Sequence, residues 1–479
     1  MNIDYFISFV AGIIFAYWPF VAAIFLGMLL PVIVILLSSI STKWPDHWKL
    51  TVIFSSVVLG NTLAIAFSGR TLISEAELAA QPYLISELSQ GSGNEWFSRV
   101  AHLILLSVSV SEVFMWVIRK RHMGKTQFLL WAAAITYFVL SVVVSGLLGT
   151  WRNFDIRVFN APIVFTAIAL LASADFVKTL RALRWVLLIP LLGSLVAILV
   201  APHLVMETGY KGLIPSLTIR LAGLTEHANS LGVIAVVAFL MEISKFVNNK
   251  PNIWVLLIST TNLILAQSKT AWAIAVAGFI ILRFNDLWTV STQSKKNSDI
   301  MAVWSGVLFL AAIAVFILGL KFDTIIDFLN LDKSGSITFT GRTLIWDITW
   351  DEFLNNPVSG YGPSIWDPLY RFQHGMMYVG QAHNQYIQTI GQAGLLGICS
   401  LIIYIMFLIR NGVHGWNETH GFSILIIAVL LVGGFSESPM RLMGVMDPEF
   451  FIHALTFLTA AGITIQARGK ASIFVGQQK

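Results

Sequence analysis

The chain has 479 residues, of which 56% are hydrophobic and only 11% are charged, with a net charge of +5 at pH 7. Soluble domains carry about a quarter charged residues, so a water-soluble globule is excluded and an all-α polytopic membrane protein is expected. In such a chain the excess Lys and Arg set topology and do not signal nucleic acid; the single cysteine, Cys399, excludes an internal disulfide, and its apolar surroundings predict a small buried core residue.

In chain order, the apolar run at 5–40 exceeds one span and is interrupted by Pro19, which suggests a short span at 5–18 and a full one at 20–40, or a single long tilted helix. The N-terminus lacks a basic leader and the run continues into the chain, so no cleavable signal peptide is expected. Further spans are predicted at 50–68, 100–118, 127–148, 159–174, 185–200, 229–245, 252–267, 270–284, 301–320, 391–410, 422–436 and 449–466, about 12–14 transmembrane helices in all. Residues 1–200 read as an N-terminal transmembrane scaffold and 201–320 as a transmembrane core with a polar outer motif. Residues 321–390 read as a large loop, and 391–479 as C-terminal helices with a tail. The basic clusters Arg119-Lys120-Arg121 and Lys178 to Arg184 place their side, with both termini, in the cytoplasm. Loops 69–99, 201–228, 321–390 and 437–448 then face outward, where no nucleotide donor is available. Loop 69–99 has a helical patch at Ser74–Leu78 and no functional reading.

The candidate chemistry gathers on that outer side. Leu344, Ile345, Ile348 and Phe353 recur at helical spacing beside Trp346 and Trp350, and Pro357 and Gly360 end the pattern. An amphipathic helix at about 342–354 is expected at the membrane–water interface, with Arg342 in its first turn, where the helix dipole and the guanidinium together favour an anion. Arg371 and His374 follow, then His383, Asn384 and Tyr386 before an apolar span; a neutral imidazole there can take a proton at neutral pH, or His383 and Asn384 can simply tie loop backbone. Trp346 and Tyr386 suit packing or sugar stacking. Upstream, Arg220, Glu226, His227 and Asn229 crowd the outer end of a span, where polar groups must pair or face water. Lys269 lies in the tight turn Gln267–Thr270 and can hold an anion or snorkel. Arg441 and Glu437 are weaker candidates. His374 and His383 are nine residues apart without a Cys, so no metal site is assigned. A cationic rim with aromatic rings suits a sugar on a diphosphate.

The series Arg342-x-x-x-Trp346, Asn356-Pro357-x-x-Gly360-x-Gly362, His383-Asn384-x-Tyr386 and Gly394-Leu-Leu-Gly397, with Arg220-x-x-Gly223-x-x-x-His227-x-Asn229-x-x-Gly232 upstream, resembles the O-antigen ligase / Wzy-type polysaccharide polymerase superfamily over about residues 200–410. The resemblance implies a GT-C-like, metal-independent glycosyltransferase without a cofactor, in the bacterial inner membrane and facing the periplasm. Its donor and acceptor would be undecaprenyl-diphosphate-linked glycans, and a flippase and a chain-length regulator would be partners. Carried onto this chain, Arg220 and Arg342 would hold the diphosphate and His383 would assist the acceptor hydroxyl. Lys269, Arg371, His227, Asn229, Asn384, Tyr386 and Trp346 would line the substrate. Ser268-Lys269-Thr270 with His227 looks more like the exopolysaccharide polymerases than the Ser-Arg form of many ligases. Ligation to lipid A core or protein is the alternative, and a polysaccharide transporter is a further one. A transporter would place its polar groups near the bilayer midplane in paired halves. Which of Asp347, Asp351, Glu352 or Asp367 supports His383 is left open by spacing alone.

Overall fold

The computed structural model describes residues 43–72, 95–119, 122–153, 155–172, 175–210, 214, 217–247, 250–291, 340–376 and 379–476. The spans expected at 5–18, 20–40 and 301–320, and the patch at 74–78, lie outside them. The described chain is an all-α polytopic membrane protein. Its helices are α1 (Asp46–Ala66), α2 (Glu95–Arg119), α3 (Lys125–Leu148, with a π turn over Val139–Val144), α4 (Asn160–Leu171), α5 (Phe176–Val200), α6 (Ala228–Ile243), α7 (Ile253–Ala266), α8 (Lys269–Ser291), α9 (Thr340–Asn355), α10 (Pro368–Gln373), α11 (Gln385–His414), α12 (Phe422–Gly433) and α13 (Pro448–Gly476). Five of them, α1, α2, α3, α5 and α11, are long and apolar enough to cross a membrane, and shorter apolar helices stand among them. Between α5 and α6 a small antiparallel hairpin, β1 (Met206–Thr208) and β2 (Ile219–Leu221), pairs Glu207 with Arg220.

α1 packs along α2, α5 and α4, while α11 packs against α3, α9, α13 and α12. One apolar core runs through the bundle, with Phe54, Phe165, Phe450, Phe451 and Phe457 at its centre. A second, smaller core belongs to the segment between α8 and α11: Ile345, Tyr361, Ile365, Trp366, Tyr370, Met376, Val379 and Ala382. That loop is therefore a packed body with its own interior.

Three expectations are corrected. Helix α5 starts at Phe176, not 185. Its charged first turns are tolerated because Arg184 is buried 3.2 Å from Glu242 on α6. A second buried pair, Lys49–Glu112 at 2.6 Å, joins α1 to α2. Helix α11 starts at Gln385, not 391, and its buried stripe is polar: Gln385, Gln388, Thr389 and Gln392. Each is satisfied: Gln385 accepts from Met440 N, Gln388 accepts from Ala382 N, Gln392 donates to Ser141 O at the π turn, and Thr389 donates to Gln385 O. Beyond the break at Gly394 the buried face is Gly397, Ser400, Leu401 and Tyr404, and Cys399, off that face, is exposed, not buried.

Candidate active site

The polar loops meet at one end of the bundle. Arg70, after α1, donates to the carbonyls of Leu204, Gly223 and Glu226. Thr150 and Trp151, after α3, donate to Gly360 and Tyr361. The two buried ion pairs lie toward the other end, since Lys49 opens α1 and Arg184 stands in the first half of α5.

Four caps fix the site's side chains. His227 caps α6, its ring accepting from Ser230 N. Gln267 ends α7 in the left-handed region (φ 49°), so the chain reverses at once into α8 at Lys269. Asp367 caps α10. Asn384 caps α11, accepting from Tyr386 N and Ile387 N, and leaves His383 just outside the helix at φ 50°. A non-glycine residue held there costs about 1–3 kcal/mol and needs firm neighbours.

Those neighbours converge on Glu437, in the loop between α12 and α13. His383 Nδ1 lies 2.9 Å from Glu437 Oε2, Gln381 donates to the same oxygen at 2.8 Å, and Asn229 donates to Oε1 at 2.7 Å. The Asn229 amide oxygen in turn accepts from Arg220 Nη2 at 2.8 Å. A polar chain thus runs Arg220–Asn229–Glu437–His383. Arg220 also donates to Ala266 O at 3.3 Å, lies 3.8 Å from Glu207 and covers the Tyr210 ring. Burial alone would raise the Glu437 pKa. The His383 hydrogen bond, the His227 and His383 charges and the Asn229 amide outweigh it and bring it down to about 2. An ionised carboxylate only accepts, so His383 Nδ1 carries a proton toward Glu437, and in the neutral tautomer of that ring the lone pair is on Nε2.

A second His–carboxylate contact stands beside the first: His227 Nε2 is 3.7 Å from Glu449 Oε1. His227, Glu437 and Glu449 offer ligand atoms within 4.8 Å of one another. They do not make a free ligand set, because His227 Nδ1 already accepts a backbone N–H, which leaves the proton on Nε2. Glu437 is moreover held by three donors. Local desolvation beside Asp447 and Glu449 pushes the nearby Glu226 carboxyl up, although the residue as a whole is exposed to solvent. Glu437 and Glu449 both open on a small cleft that Asn229, Ser268 and Thr270 also line.

The remaining candidates are spread around this chain. The expected amphipathic helix is α9; Ile345 and Thr349 face inward, Leu344, Trp350 and Leu354 outward. Trp346 is half-buried and donates its indole N–H to Ala382 O at 2.8 Å, which brings α9 against the residue before His383. Tyr386 packs on Phe435 and donates to Leu431 O, so both rings serve packing. Arg342 is partly buried in the first turn of α9, and Lys269 opens α8 beside the cleft; neither makes a hydrogen bond or ion pair among the described residues. Arg371 lies in the last turn of α10, and His374 stacks on Tyr370 at 4.1 Å.

The four loop carboxylates considered for His383 are not its partners. Glu352 accepts from Tyr370 OH, Asp367 caps α10, and neither Asp347 nor Asp351 touches the imidazole. Glu437 had a visible signal, a carboxylate at the polar end of an apolar span. Glu449, in the first turn of α13, carries the same signal.

Residues 254–402 match a family model described as O-antigen ligase. The matched segment is under a third of the chain; it runs from α7 into the middle of α11 and contains Lys269, Arg342, Trp346 and His383. Arg220, His227, Asn229, Glu437 and Glu449 lie outside it, so the chain on both sides completes the polar network. No curated protein matches the chain.

Proposed function

We propose that this protein is a glycosyltransferase of the outer face of the bacterial inner membrane, joining undecaprenyl-diphosphate-linked repeat units into a longer exopolysaccharide or O-antigen chain. The observation that carries the reading is the Arg220–Asn229–Glu437–His383 chain, which sets an anion-binding group and a proton acceptor beside one cleft. Arg220, with Arg342 and Lys269, holds the donor diphosphate and stabilises the charge that grows on it. His383 Nε2 takes the proton of the acceptor hydroxyl as its oxygen attacks the anomeric carbon. The bond to the diphosphate breaks on the opposite face, and the configuration inverts. The diphosphate leaves as a stable anion, so no nucleotide, metal or cofactor is called for. Arg371, His227, Asn229 and Asn384 act around the glycan, either directly or by holding loop backbone.

Ligation is the second reading, favoured by the description of the matching family. Deleting the gene and running surface and lipid-linked glycans on gels separates the two. Single repeat units in the deletion and in a His383→Ala strain, with ladders restored by wild type, are the polymerase outcome. Full ladders stranded on undecaprenyl are the ligase outcome. An unchanged profile overturns both and returns the chain to transport.

A further inference from the structure

Two stretches of chain meet at the polar network, and the side chain that ties them most closely has no part in the transfer chemistry described above. Residues 380–385 lie against residues 434–441. Arg441 Nη1 donates to Gly380 O at 2.7 Å, Gln385 N donates to Gly434 O at 2.7 Å, and Met440 N donates to Gln385 Oε1 at 2.6 Å. His383 and Glu437 stand between these ties. Gln381 crosses there with both ends of its amide engaged. Its Nε2 donates to Glu437 Oε2 at 2.8 Å, and its Oε1 accepts from Ser438 N at 2.9 Å. One side chain thus holds the Glu437 carboxylate and the peptide that follows it.

The bond to Oε2 also acts on the chemistry of the pair. That oxygen is the one 2.9 Å from His383 Nδ1, so the amide and the imidazole share it. Asn229 occupies Oε1 at 2.7 Å. A carboxylate that accepts several hydrogen bonds is a weaker base, and it draws a proton onto the neighbouring ring less strongly. The Glu437 side chain is only 7% exposed, which leaves water little room to replace the amide. The His383 backbone is fixed separately: Gln388 accepts from Ala382 N, and Trp346 donates to Ala382 O. Gln381 is therefore the group that sets the other half of the pair. The further ionisable groups on the packed elements are His227 on α6, Arg342 and Asp347 on α9, Glu449 on α13 and Arg441 in the loop before it. None of them bonds to the imidazole among the described residues.

We propose that Gln381 is a positioning residue of the transfer reaction, holding Glu437 Oε2 toward His383 and tempering that carboxylate so that the imidazole stays neutral and ready for the acceptor proton. The inference rests on the transferase reading and adds to it the group that sets the His383–Glu437 pair.

Two variants of the full-length protein in nanodiscs test it. Gln381→Met keeps the length of the side chain and removes both hydrogen bonds; Gln381→Glu keeps the acceptor and puts a second carboxylate beside the first. Transfer is followed with an undecaprenyl-diphosphate-linked repeat unit. The protonation of His383 is followed without substrate, as the pH midpoint of its reaction with diethyl pyrocarbonate, read by peptide mass spectrometry. Gln381→Met should lower kcat by about ten- to a hundredfold at an unchanged KM and melting temperature, and should move the His383 midpoint to higher pH. Gln381→Glu should move it further, because a nearby negative charge favours the imidazolium. In both, the loss of kcat should shrink as pH rises and the ring returns to its neutral form. A midpoint at the wild-type pH in both variants overturns the proposal, as does a kcat equal to that of wild type. If Gln381→Met does not fold, the midpoint of Gln381→Glu decides alone. Wild type that transfers no glycan sinks the transferase reading, and the His383 midpoints still decide whether Gln381 governs the pair.

Discussion

Changing Glu437 to Gln keeps its shape and removes its charge. The amide cannot fix the His383 proton on Nδ1 as firmly, so Nε2 loses basicity and orientation together. We expect Glu437→Gln to lower kcat by about 10²–10³ with a normal melting profile, and to shift the alkaline and acid limbs of the pH–rate profile. Glu437→Asp should recover part of the loss; a variant that only melts earlier, with kcat intact, would make Glu437 a structural residue. The same group couples to stability. Its folded pKa, about 2, lies below that of an unfolded Glu, about 4.3. Its contribution is therefore present above about pH 4 and lost as pH falls through about 2. Acid unfolding followed by tryptophan fluorescence should be flatter over that window in Glu437→Gln. At this scale the sequence makes Arg220, Asn229 and His383 legible, since each stands polar at the edge of an apolar run. The pairing itself is not, because Glu437 is 208 residues from Asn229 and 54 from His383, and no local spacing links them.

The paired motifs at Gly360-x-Gly362 and Gly394 are one element. Gly394 interrupts α11 at φ 58°, and the amides after it donate to Pro357 O and Val358 O. Tyr361 and Gly362 donate back to Gly391 and Gln392. A Cβ on Gly394 would lie 2.5 Å from Pro357 O, and one on Gly360 2.5 Å from the Gln392 carbonyl carbon. Both glycines permit backbone to run against backbone. Gly394→Ala should therefore lower the melting temperature in detergent by several degrees and reduce activity with it, whereas Gly375→Ala, strained in φ yet with open space around its Cβ, should cost less. Long spans and the α9 helix follow from periodicity and are legible. The kink, the inward polar stripe of α11 and the small hairpin depend on partners far along the chain, and hydropathy cannot show them.

For the whole molecule, the two ends of the bundle are built differently. One end is held by buried ion pairs, the other by the polar network of the site. Truncating one member of a buried pair leaves an uncompensated charge. Lys49→Met should destabilise by about 3–5 kcal/mol in denaturant titrations, and Lys49→Met with Glu112→Leu should recover most of it, with transfer activity little affected per folded molecule. A hydropathy profile shows that charges occur at these positions but not that they meet.

The short helices around the cleft carry one more consequence. Helix α12 has 12 residues and α6 has 16, about 18 and 24 Å of rise, against a hydrocarbon layer of about 30 Å. Both are buried inside the bundle and do not face lipid, so the loops that end them can lie at membrane depth. A lipid then need not climb into bulk water for its head to reach Arg220, and the host membrane's thickness becomes a control on turnover. Reconstitution into lipids of increasing acyl length should slow the protein progressively while its fold persists.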